Sequence, residues 1–392
     1  MALYYYTAKT ERQLIHKLTE KLDAHKSVFA PQWIVSGHNA TNNYLIDNIA
    51  NHNGIAANVK FKQVIPLIEH LHSTLGLAQD KNELIRSEQL PWFIDEIMQS
   101  ADFTKLPEAE KIMKYIADNP QKRFTLAEKV NGLFSSYQEE KPQLIACWNN
   151  QQLLADNPDE KWQSYIWQQL KHRLGNRLRD LSSIFDEVKE SLKSDVHKKV
   201  VKRHFPALFF YGNLPYSAQL LDVLQALSQD MDVHIFRTMF STNREHPLIQ
   251  NLGKVAARDN KLFENVASEE TEAPVDSMAS PKHLLDFLQQ DILGKSDTPF
   301  DYQAADDSLV ITSSYAVGRE VEAFYHYLLR LFKENKELAA REVCVVIPNI
   351  ETYAPAIKTY FDHKQNSDPS GNDQPLIPYT IYDTSHRIYA SP

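Results

Sequence analysis

The sequence predicts an α/β protein whose parallel sheet is interrupted by a large helical insertion. Two observations predict this architecture. The first sixty residues alternate short apolar strands with amphipathic helices, and the same alternation returns after residue 205. Between them, residues 64–200 carry apolar side chains at three- and four-residue spacing, which is typical of helices. We therefore expect one parallel sheet, since strand–helix–strand crossovers place their strands side by side in the same direction.

The elements before the insertion follow from local patterns. Leu14, Leu18 and Leu22 recur at helical spacing and predict a helix over 11–25. A second helix is predicted over 41–50. The short apolar runs at 3–6, 33–36 and 55–59 predict three strands.

The insertion and the segments that follow it are delimited by prolines and acidic residues. Prolines at positions 91, 107, 120, 142 and 158 separate the helices of the insertion. Beyond it we expect strands at 207–211 and 233–236, a helix at 215–227, and an acidic linker at 268–281. A further series of strands (309–313, 343–347, 379–382) and helices (319–335, 353–361) follows, with a mobile loop at 363–374.

This pattern predicts three domains. Residues 1–63 and 201–300 form the first α/β domain, residues 64–200 form the helical insertion, and residues 301–392 begin a second α/β domain. The chain stops just after a strand, so we expect the second domain to be truncated.

Composition narrows the class of protein. The net charge is −9, so contact with nucleic acid would require a local basic surface rather than the field of the whole molecule. Two cysteines, Cys147 and Cys344, fit a reducing cytoplasm. No apolar run is long enough to span a membrane, and the first residues lack the features of a signal peptide.

The positions where an ATP-driven motor would bind nucleotide lack the required residues. A phosphate-binding loop needs two glycines five residues apart, followed by Lys and Ser or Thr. The closest glycines here, Gly37 and Gly54, are seventeen positions apart. The strand at 207–211 is followed by Gly212 and Asn213, where a motor would carry an acidic residue for magnesium. We expect a vacated nucleotide site; an α/β protein that never had one is the alternative.

Two other patterns carry little weight. Asp159, Glu187 and Lys189 match the spacing of a restriction-type nuclease formally, but their segments are predicted to be helix or loop, so we interpret the match as chance. Glu69 and His72 share a helical face and are interpreted as a solvated pair rather than a metal site. We therefore expect no catalytic, nucleotide-binding or metal-binding residues.

One stretch, residues 171–204, is locally basic. It contains ten Lys and Arg residues against five acidic ones: Lys171, Arg173, Arg177, Arg179, Lys189, Lys193, Lys198, Lys199, Lys202 and Arg203. Arg173 and Arg177 are expected to share a helix face. The stretch is either a solvated surface or a surface that contacts phosphates.

Several strings resemble the RecC family, the gamma subunit of exodeoxyribonuclease V. The segment 53–59 (NGIAANV) resembles a Gly-Ile-Ala-Ala-Asn-Ile segment of that family. Residues 209–236 resemble its vacated Walker-B strand with the helix and strand that follow, and 319–322 (REVE) resembles the start of a family helix. Matches at 347–355 and 377–379 keep the same order, so the resemblance extends over nearly the whole chain.

The resemblance implies a fold similar to a superfamily 1 helicase, with an inactive P-loop-type motor domain and the start of a second RecA-like domain. It also implies partners: a RecB-like helicase–nuclease and a RecD-like helicase, which use ATP and magnesium, and DNA ends and single-stranded DNA. No cofactor is implied for this chain itself. In the family, this subunit splits the strands and scans one of them for the Chi signal.

The scanning positions of the family are only partly retained here. Gly37, Asn39 and Asn43 stand where the family has glutamine, threonine and glutamine, and Gln63 and Glu69 replace a leucine and a tryptophan. In the insertion, Leu133 is retained and Lys141 replaces an arginine. The candidate nucleic-acid contacts are therefore Asn39, Asn43, Leu133, Lys141, Arg173, Arg177, Lys198, Lys199, Lys202 and Arg203.

The preferred hypothesis is a subunit that guides DNA without catalytic activity. A scaffold that binds partner subunits but no DNA is the first alternative. An enzyme with its own NTPase or nuclease activity is the second. For the preferred hypothesis we expect a groove between the insertion and the loop after the strand at 33–36.

Overall fold

The computed structural model describes residues 2–8, 10–25, 30–77, 87–155, 157–238, 247–254, 261–263, 269–272, 282–292, 306–366 and 377–381. The chain divides into two compact units. The first comprises Met1–Ser280 with Gln290–Asp297, and the second comprises Pro281–Gln289 with Thr298–Pro392. Each unit is described separately below.

The first unit is built on a parallel sheet. Its strands are β1 (Leu3–Ala8), β2 (Gln32–Val35), β3 (Val59–Lys62), β4 (Ala207–Tyr211), β5 (Asp232–Thr238) and β6 (Glu269–Glu272). Their order across the sheet is β3-β2-β4-β5-β1-β6, and every pair is parallel. The prediction of one α/β parallel sheet is confirmed by this arrangement.

The two halves of the sheet are distant in sequence. Ile34 of β2 pairs with Phe209 of β4, although the whole helical insertion lies between them. All five residues of β4 are buried, which is typical of a central strand covered by helices on both faces. The expectation that the segments at 33–36 and 207–211 share one sheet is therefore confirmed.

Helices cover both faces of the sheet. One face packs against α1 (Glu11–Ala24) and α2 (Asn39–Asn53). The opposite face packs against α3 (Val64–Thr74), α10 (Leu181–Ser191), α11 (Asp195–His204) and α12 (Ala218–Ser228). Helices α3, α10 and α11 therefore belong to the core of the sheet, although they lie wholly or largely within the predicted insertion; the domain boundaries themselves stay a prediction.

Six helices between these form a separate core. They are α4 (Leu90–Gln99), α5 (Ala101–Thr104), α6 (Glu110–Ile116), α7 (Pro120–Glu140), α8 (Pro142–Asn149) and α9 (Pro158–Leu174). Phe134 packs edge-on against Trp148 and Trp167 at its centre. The buried Glu160 carboxylate accepts hydrogen bonds from the Trp148 indole and from the backbone of Leu154, so the polar group is satisfied within this core.

Three predicted boundaries in the first unit were wrong. Residues 55–58 are not part of β3, because Gly54 (φ 76°) and Asn58 (φ 59°) adopt left-handed backbone that a strand cannot contain. Helix α12 begins at Ala218 rather than 215, because the Ser217 side chain caps it by accepting from the Leu220 amide. The predicted acidic linker contributes strand β6 instead; 273–281 lie outside the described residues.

The remaining described helix of the first unit is α13 (Pro247–Leu252), and α14 (Leu284–Ile292) spans the division between the units. The second unit is organised by α15 (Val317–Glu334) and α16 (Ile350–Asn366), which pack around Tyr325, Leu328 and Phe361. The predicted loop at 363–374 is wrong for its first residues, which continue α16, and 367–374 lie outside the described residues.

The strands predicted for the second unit were wrong within the described residues. Segments 309–313, 343–347 and 379–381 form no ladder, and Tyr382 lies outside the described residues. Ile311 and Val346 are each 87% exposed. A strand needs hydrogen-bonding neighbours for its backbone, and none of the described segments of this unit supplies one. A second RecA-like domain stays a prediction.

An ion pair joins the six-helix core to the helices that cover the sheet. Lys171 Nζ of α9 lies 2.8 Å from Oδ2 of the fully buried Asp180 side chain, and Oδ1 caps α10 through the Ser183 amide. Burial raises the pKa of Asp180, but hydrogen bonds from Lys171 and Ser183 outweigh burial and leave that pKa below its ordinary value. The charged carboxylate therefore stabilises the folded state.

We expect Asp180→Asn to flatten the acid side of the stability profile. A depressed pKa contributes stability above the unfolded pKa of about 3.9, and this contribution is lost as pH falls through the folded value. The variant keeps a capping side chain but loses the charge, so it should cost about 1–3 kcal/mol at neutral pH. Urea unfolding between about pH 2 and pH 7 measures both effects. Asp195→Asn, an exposed carboxylate, is the control; identical profiles for the two variants would refute this role.

Candidate nucleic-acid interface

The loop after β2 lies at the carboxyl edge of the sheet, where α/β proteins bind nucleotides. Here it contains only Ser36, Gly37 and His38 before α2 begins. The Gln63 side chain donates to the Gly37 carbonyl at 3.1 Å, and the Leu214 side chain lies 3.6 Å from where a Cβ on Gly37 would stand. The loop thus contacts protein groups where a phosphate-binding loop would face its ligand.

The end of β4 is also engaged by protein groups. The buried Tyr211 hydroxyl donates to the Glu11 carboxylate, and burial together with that carboxylate raises the pKa of Tyr211. Beyond it, Asn213 Oδ1 accepts from Arg237 Nε at 3.3 Å. The Arg237 guanidinium is buried and lies 5.6 Å from the centre of the Tyr216 ring. The carboxylate at this edge is therefore hydrogen-bonded to tyrosine.

Asn39 and Asn43 are exposed in the first turns of α2, at the same carboxyl edge. Asn39 Oδ1 lies 3.4 Å from Asn42 Nδ2, and Asn42 also contacts the Ser36 hydroxyl. The first turn of α2 therefore has a connected set of side-chain amides. Asn43 is exposed on the same helix.

Leu133 and Lys141 lie on and just beyond α7. Leu133 is 43% exposed, although α7 buries Val130 and Phe134 on either side of it in sequence. Lys141 is exposed, and its ammonium lies 5.5 Å from the centre of the Tyr137 ring. Both side chains are accessible on the surface of the insertion.

Half of the ten cations of the basic stretch 171–204 are paired with acidic groups. The ion pairs are Lys171–Asp180, Arg173–Glu96, Lys189–Asp222, Lys193–Glu190 and Lys198–Asp230. Arg179 contacts the His72 ring at 3.2 Å, and that ring contacts Glu187. The surface of this stretch therefore carries less unpaired positive charge than its composition suggests.

The expectation that Arg173 and Arg177 share a helix face was wrong. Helix α9 ends at Leu174, and Gly175, with φ of 50°, turns the chain into a short 3-10 helix over Gly175–Arg177. Arg173 pairs with Glu96 at 3.0 Å, whereas Arg177 is exposed and has no ionic partner among the described residues.

Helix α11 keeps an accessible basic face. Lys199, Lys202 and Arg203 are exposed, and the last two lie in its final turn. Lys199 and Arg203 are four residues apart and therefore lie on one side of the helix. Neither forms an ion pair within the described ranges. Lys198 instead contacts Asp230 at 3.2 Å and Asp195 at 3.8 Å.

The predicted groove is not formed by these residues together. Helix α11 leads directly into β4, so Lys202 and Arg203 lie near the amino edge of the sheet. Asn39 and Asn43 follow β2 and lie at the carboxyl edge. A five-residue strand such as β4 is about 17 Å long, so the two groups lie on opposite edges. The structure does not bring the candidate residues to one place.

Two lysines that the sequence analysis missed lie on the edge strand β3. The ammonium groups of Lys60 and Lys62 lie 5.3 Å and 5.9 Å from the Trp33 ring, and the Trp33 indole donates to the His204 carbonyl at 3.2 Å. Burial lowers the pKa of His70, and nearby Lys62, His204 and Lys60 lower it further. We call these two lysines and His204, together with the exposed Lys199 and Arg203 of helix α11, the edge patch. Lys60 and Lys62 lie far in sequence from 171–204, so no local sequence signal could have marked them.

The two weak patterns lead to no site. His72 is buried, not solvated as predicted, and its Nε2 lies 2.6 Å from Glu187 Oε2. Of the nuclease-like residues, Asp159 accepts from the Trp162 indole and Lys189 pairs with Asp222. Each residue therefore has a different partner.

Among the described residues, none of the helices combines the length and the apolar character needed to span a bilayer.

Comparison with known proteins gives matches to one family. The family model described as RecC, N-terminal domain, matches residues 3–241. Three relatives are named RecBCD enzyme subunit RecC. The protein of Mycolicibacterium smegmatis is 25% identical over 92% of this chain and 34% of its own length. Those of Escherichia coli and Haemophilus influenzae are 23% and 20% identical, covering 94% and 98% of this chain and 38% and 41% of their own lengths.

The chain thus spans between 34% and 41% of the length of these relatives. The family model covers more than half of the chain and includes all strands from β1 to β5 and the helices between them. The chain belongs to the RecC family, and residues 3–241 match its N-terminal domain.

Proposed function

We propose that this chain guides DNA as the non-catalytic gamma subunit of an exodeoxyribonuclease V-type complex in double-strand-break repair and recombination. Its partners would be a RecB-like helicase–nuclease and a RecD-like helicase, which would use ATP and magnesium in the cytoplasm. Membership of the RecC family supports the proposal, because the relatives are named as subunits of the RecBCD enzyme.

The carboxyl edge of the sheet is the observation that carries the non-catalytic part. A motor would hold phosphates on a glycine-rich loop and magnesium on an acid after the later strand. Here the loop after β2 has no lysine, and β4 is followed by Gly212 and Asn213. The Glu11 carboxylate at this edge accepts a hydrogen bond from the Tyr211 hydroxyl. These residues fit a superfamily 1 helicase-like fold that has lost its nucleotide chemistry.

The DNA-guiding part rests on the edge patch and on the exposed insertion residues. Lys60, Lys62, Lys199 and Arg203 have no ion-pair partners among the described residues, so their charges are available to phosphates. Leu133 and Lys141 would contact the strand from the insertion. Asn39 and Asn43, at the carboxyl edge of the sheet, would contact a different part of the strand.

Scanning for a Chi-like signal would need a changed set of contacts. Gly37 has no side chain to replace the family's glutamine, and Gln63 is engaged by the Gly37 carbonyl. Asn39 and Asn43 offer shorter amides, which can still bond to base edges. A signal read by this chain would therefore differ from the one read by relatives that retain the longer side chains.

A scaffold that binds partner subunits and no DNA is the second candidate. The pairing of half of the cations of the basic stretch favours it. Lys171, Arg173 and Lys198, for example, form ion pairs with Asp180, Glu96 and Asp230. The net charge of −9 favours it as well. DNA binding by the edge patch decides between the two candidates.

A fourfold variant of the edge patch should bind a single-stranded oligonucleotide more weakly, and its affinity should depend less steeply on salt. The substitutions are Lys60→Gln, Lys62→Gln, Lys199→Gln and Arg203→Gln. Each lost phosphate contact lowers the slope of log affinity against log salt by about 0.7. Fluorescence anisotropy of the full chain across a salt series measures this slope.

The control removes the same charge from four ion-paired lysines: Lys17, Lys114, Lys189 and Lys193, each changed to Gln. It should leave the slope nearly unchanged. Equal slopes in both variants would show that the edge patch does not touch phosphates, and an unmodified chain that does not bind would favour the scaffold.

ATP with magnesium should not stabilise the fold. A functional site at a ligand concentration of a hundred times its Kd would add about 2.7 kcal/mol to the free energy of unfolding. The carboxyl edge lacks the groups to bind a triphosphate, so melting curves with and without Mg-ATP should coincide. A reproducible rise in Tm that depends on ATP concentration would contradict the vacated site.

A further inference from the structure

Three potential metal ligands converge at the amino edge of the sheet, opposite the edge discussed above. His25 follows the last residue of α1, Asp232 is the first residue of β5, and His234 lies two residues further along that strand. Within the described residues, this is the one group of three or more His, Cys, Asp or Glu side chains whose ligand atoms lie close enough to share an ion.

The distances suit a tetrahedral ion. His25 Nε2 lies 3.1 Å from His234 Nε2 and 3.7 Å from Asp232 Oδ2, and all three ligand atoms lie within 4.8 Å of one another. Zinc binds imidazole nitrogen at 2.0–2.1 Å, so two ligands of a tetrahedral ion are separated by about 3.4 Å. Closing the largest gap requires rotation of the Asp232 side chain, which is 25% exposed.

His234 is held as a ligand would be. Its ring is 2% exposed and lies nearly parallel to the rings of Tyr4 and Phe209, at centroid distances of 4.8 Å and 5.0 Å. Nδ1 lies 3.3 Å from the Tyr6 hydroxyl, which leaves Nε2 directed at His25. Metal-bound histidines commonly use their second nitrogen in this way, because that hydrogen bond fixes the orientation of the ring.

We propose that His25, Asp232 and His234 bind a divalent transition-metal ion of the zinc type, with water as the fourth ligand. Two imidazoles and a carboxylate favour Zn²⁺, Co²⁺ or Ni²⁺ over Mg²⁺ or Ca²⁺, which prefer sets of oxygen ligands. His25 and Asp232 are each about one quarter exposed, so solvent can reach the open position. The ion would tie the end of α1 to the start of β5, and this role is independent of DNA guiding.

The test is metal binding by the full chain prepared without a histidine tag. Calorimetric titration with Zn²⁺ alone should give one ion per chain, and Co²⁺ should give the visible absorption of a tetrahedral site. His25→Gln and Asp232→Asn should each lower the affinity at least tenfold. Tyr6→Phe, which removes the hydroxyl that bonds to His234, should lower it by about 10–100-fold.

The chain offers a matched control. His52 Nε2 lies 3.7 Å from Asp23 Oδ2, the same separation as between His25 and Asp232, but the pair belongs to no group of three ligands in the described residues. His52→Gln should leave zinc affinity and the Co²⁺ spectrum unchanged. Absence of binding by the unmodified chain, or equal affinities for the His25 and His52 variants, would overturn the proposal and leave the two rings as a hydrogen-bonded pair. His25 and His52 are both partly exposed, so both variants are expected to fold.

Discussion

Parallel hydrogen bonding between β2 and β4 joins Ile34 to Phe209 and closes the sheet around the helical insertion. Because β4 is buried along its whole length, the pairing also fixes the helices on both faces. It brings the loop at Gly37 beside Gly212 at one edge. At the other edge it brings Trp33 beside His204. This one junction therefore positions the loop after β2 at the carboxyl edge and the Trp33–His204 contact near the edge patch.

The two edges of the sheet have different chemistry. At the carboxyl edge, polar groups of the described residues are bonded to other protein groups, as Tyr211 is to Glu11. At the side of the sheet formed by β3, the edge patch presents cations without ionic partners in the described segments, and at the amino edge His234 meets His25. This contrast supports the proposal that the sheet of this RecC-family chain serves as a frame rather than as a motor.

The parts of the fold with strong local patterns could be predicted from the sequence. The unbroken apolar run at 207–211 marked a buried strand, and the leucines of α1 marked its helix. Residues 309–313 are also apolar, but a strand exists only where another strand supplies hydrogen bonds, which no local pattern can guarantee. The start of β3 was misplaced because residues 55–57 are apolar and resemble a strand. The left-handed backbone of Asn58, which separates them from β3, cannot be read from that pattern.

The candidate site was harder to predict than the fold, because a basic residue can be paired with an acidic residue that is distant in sequence. Arg173 and Lys198 contributed to a basic stretch, yet their partners, Glu96 and Asp230, lie far away along the chain. Lys60 and Lys62 were missed for the converse reason: nothing near them in sequence is basic enough to mark the patch around Trp33.

Cross-linking within an assembled complex tests the DNA-guiding role most directly. The chain would be assembled with RecB-like and RecD-like subunits on a forked DNA whose single strands carry photoreactive thymidines, and the cross-linked peptides would be identified by mass spectrometry. The account predicts cross-links in β3, in α11 and around Leu133 and Lys141, without any requirement for ATP. Cross-links confined to the partner subunits, with none on this chain, would contradict it.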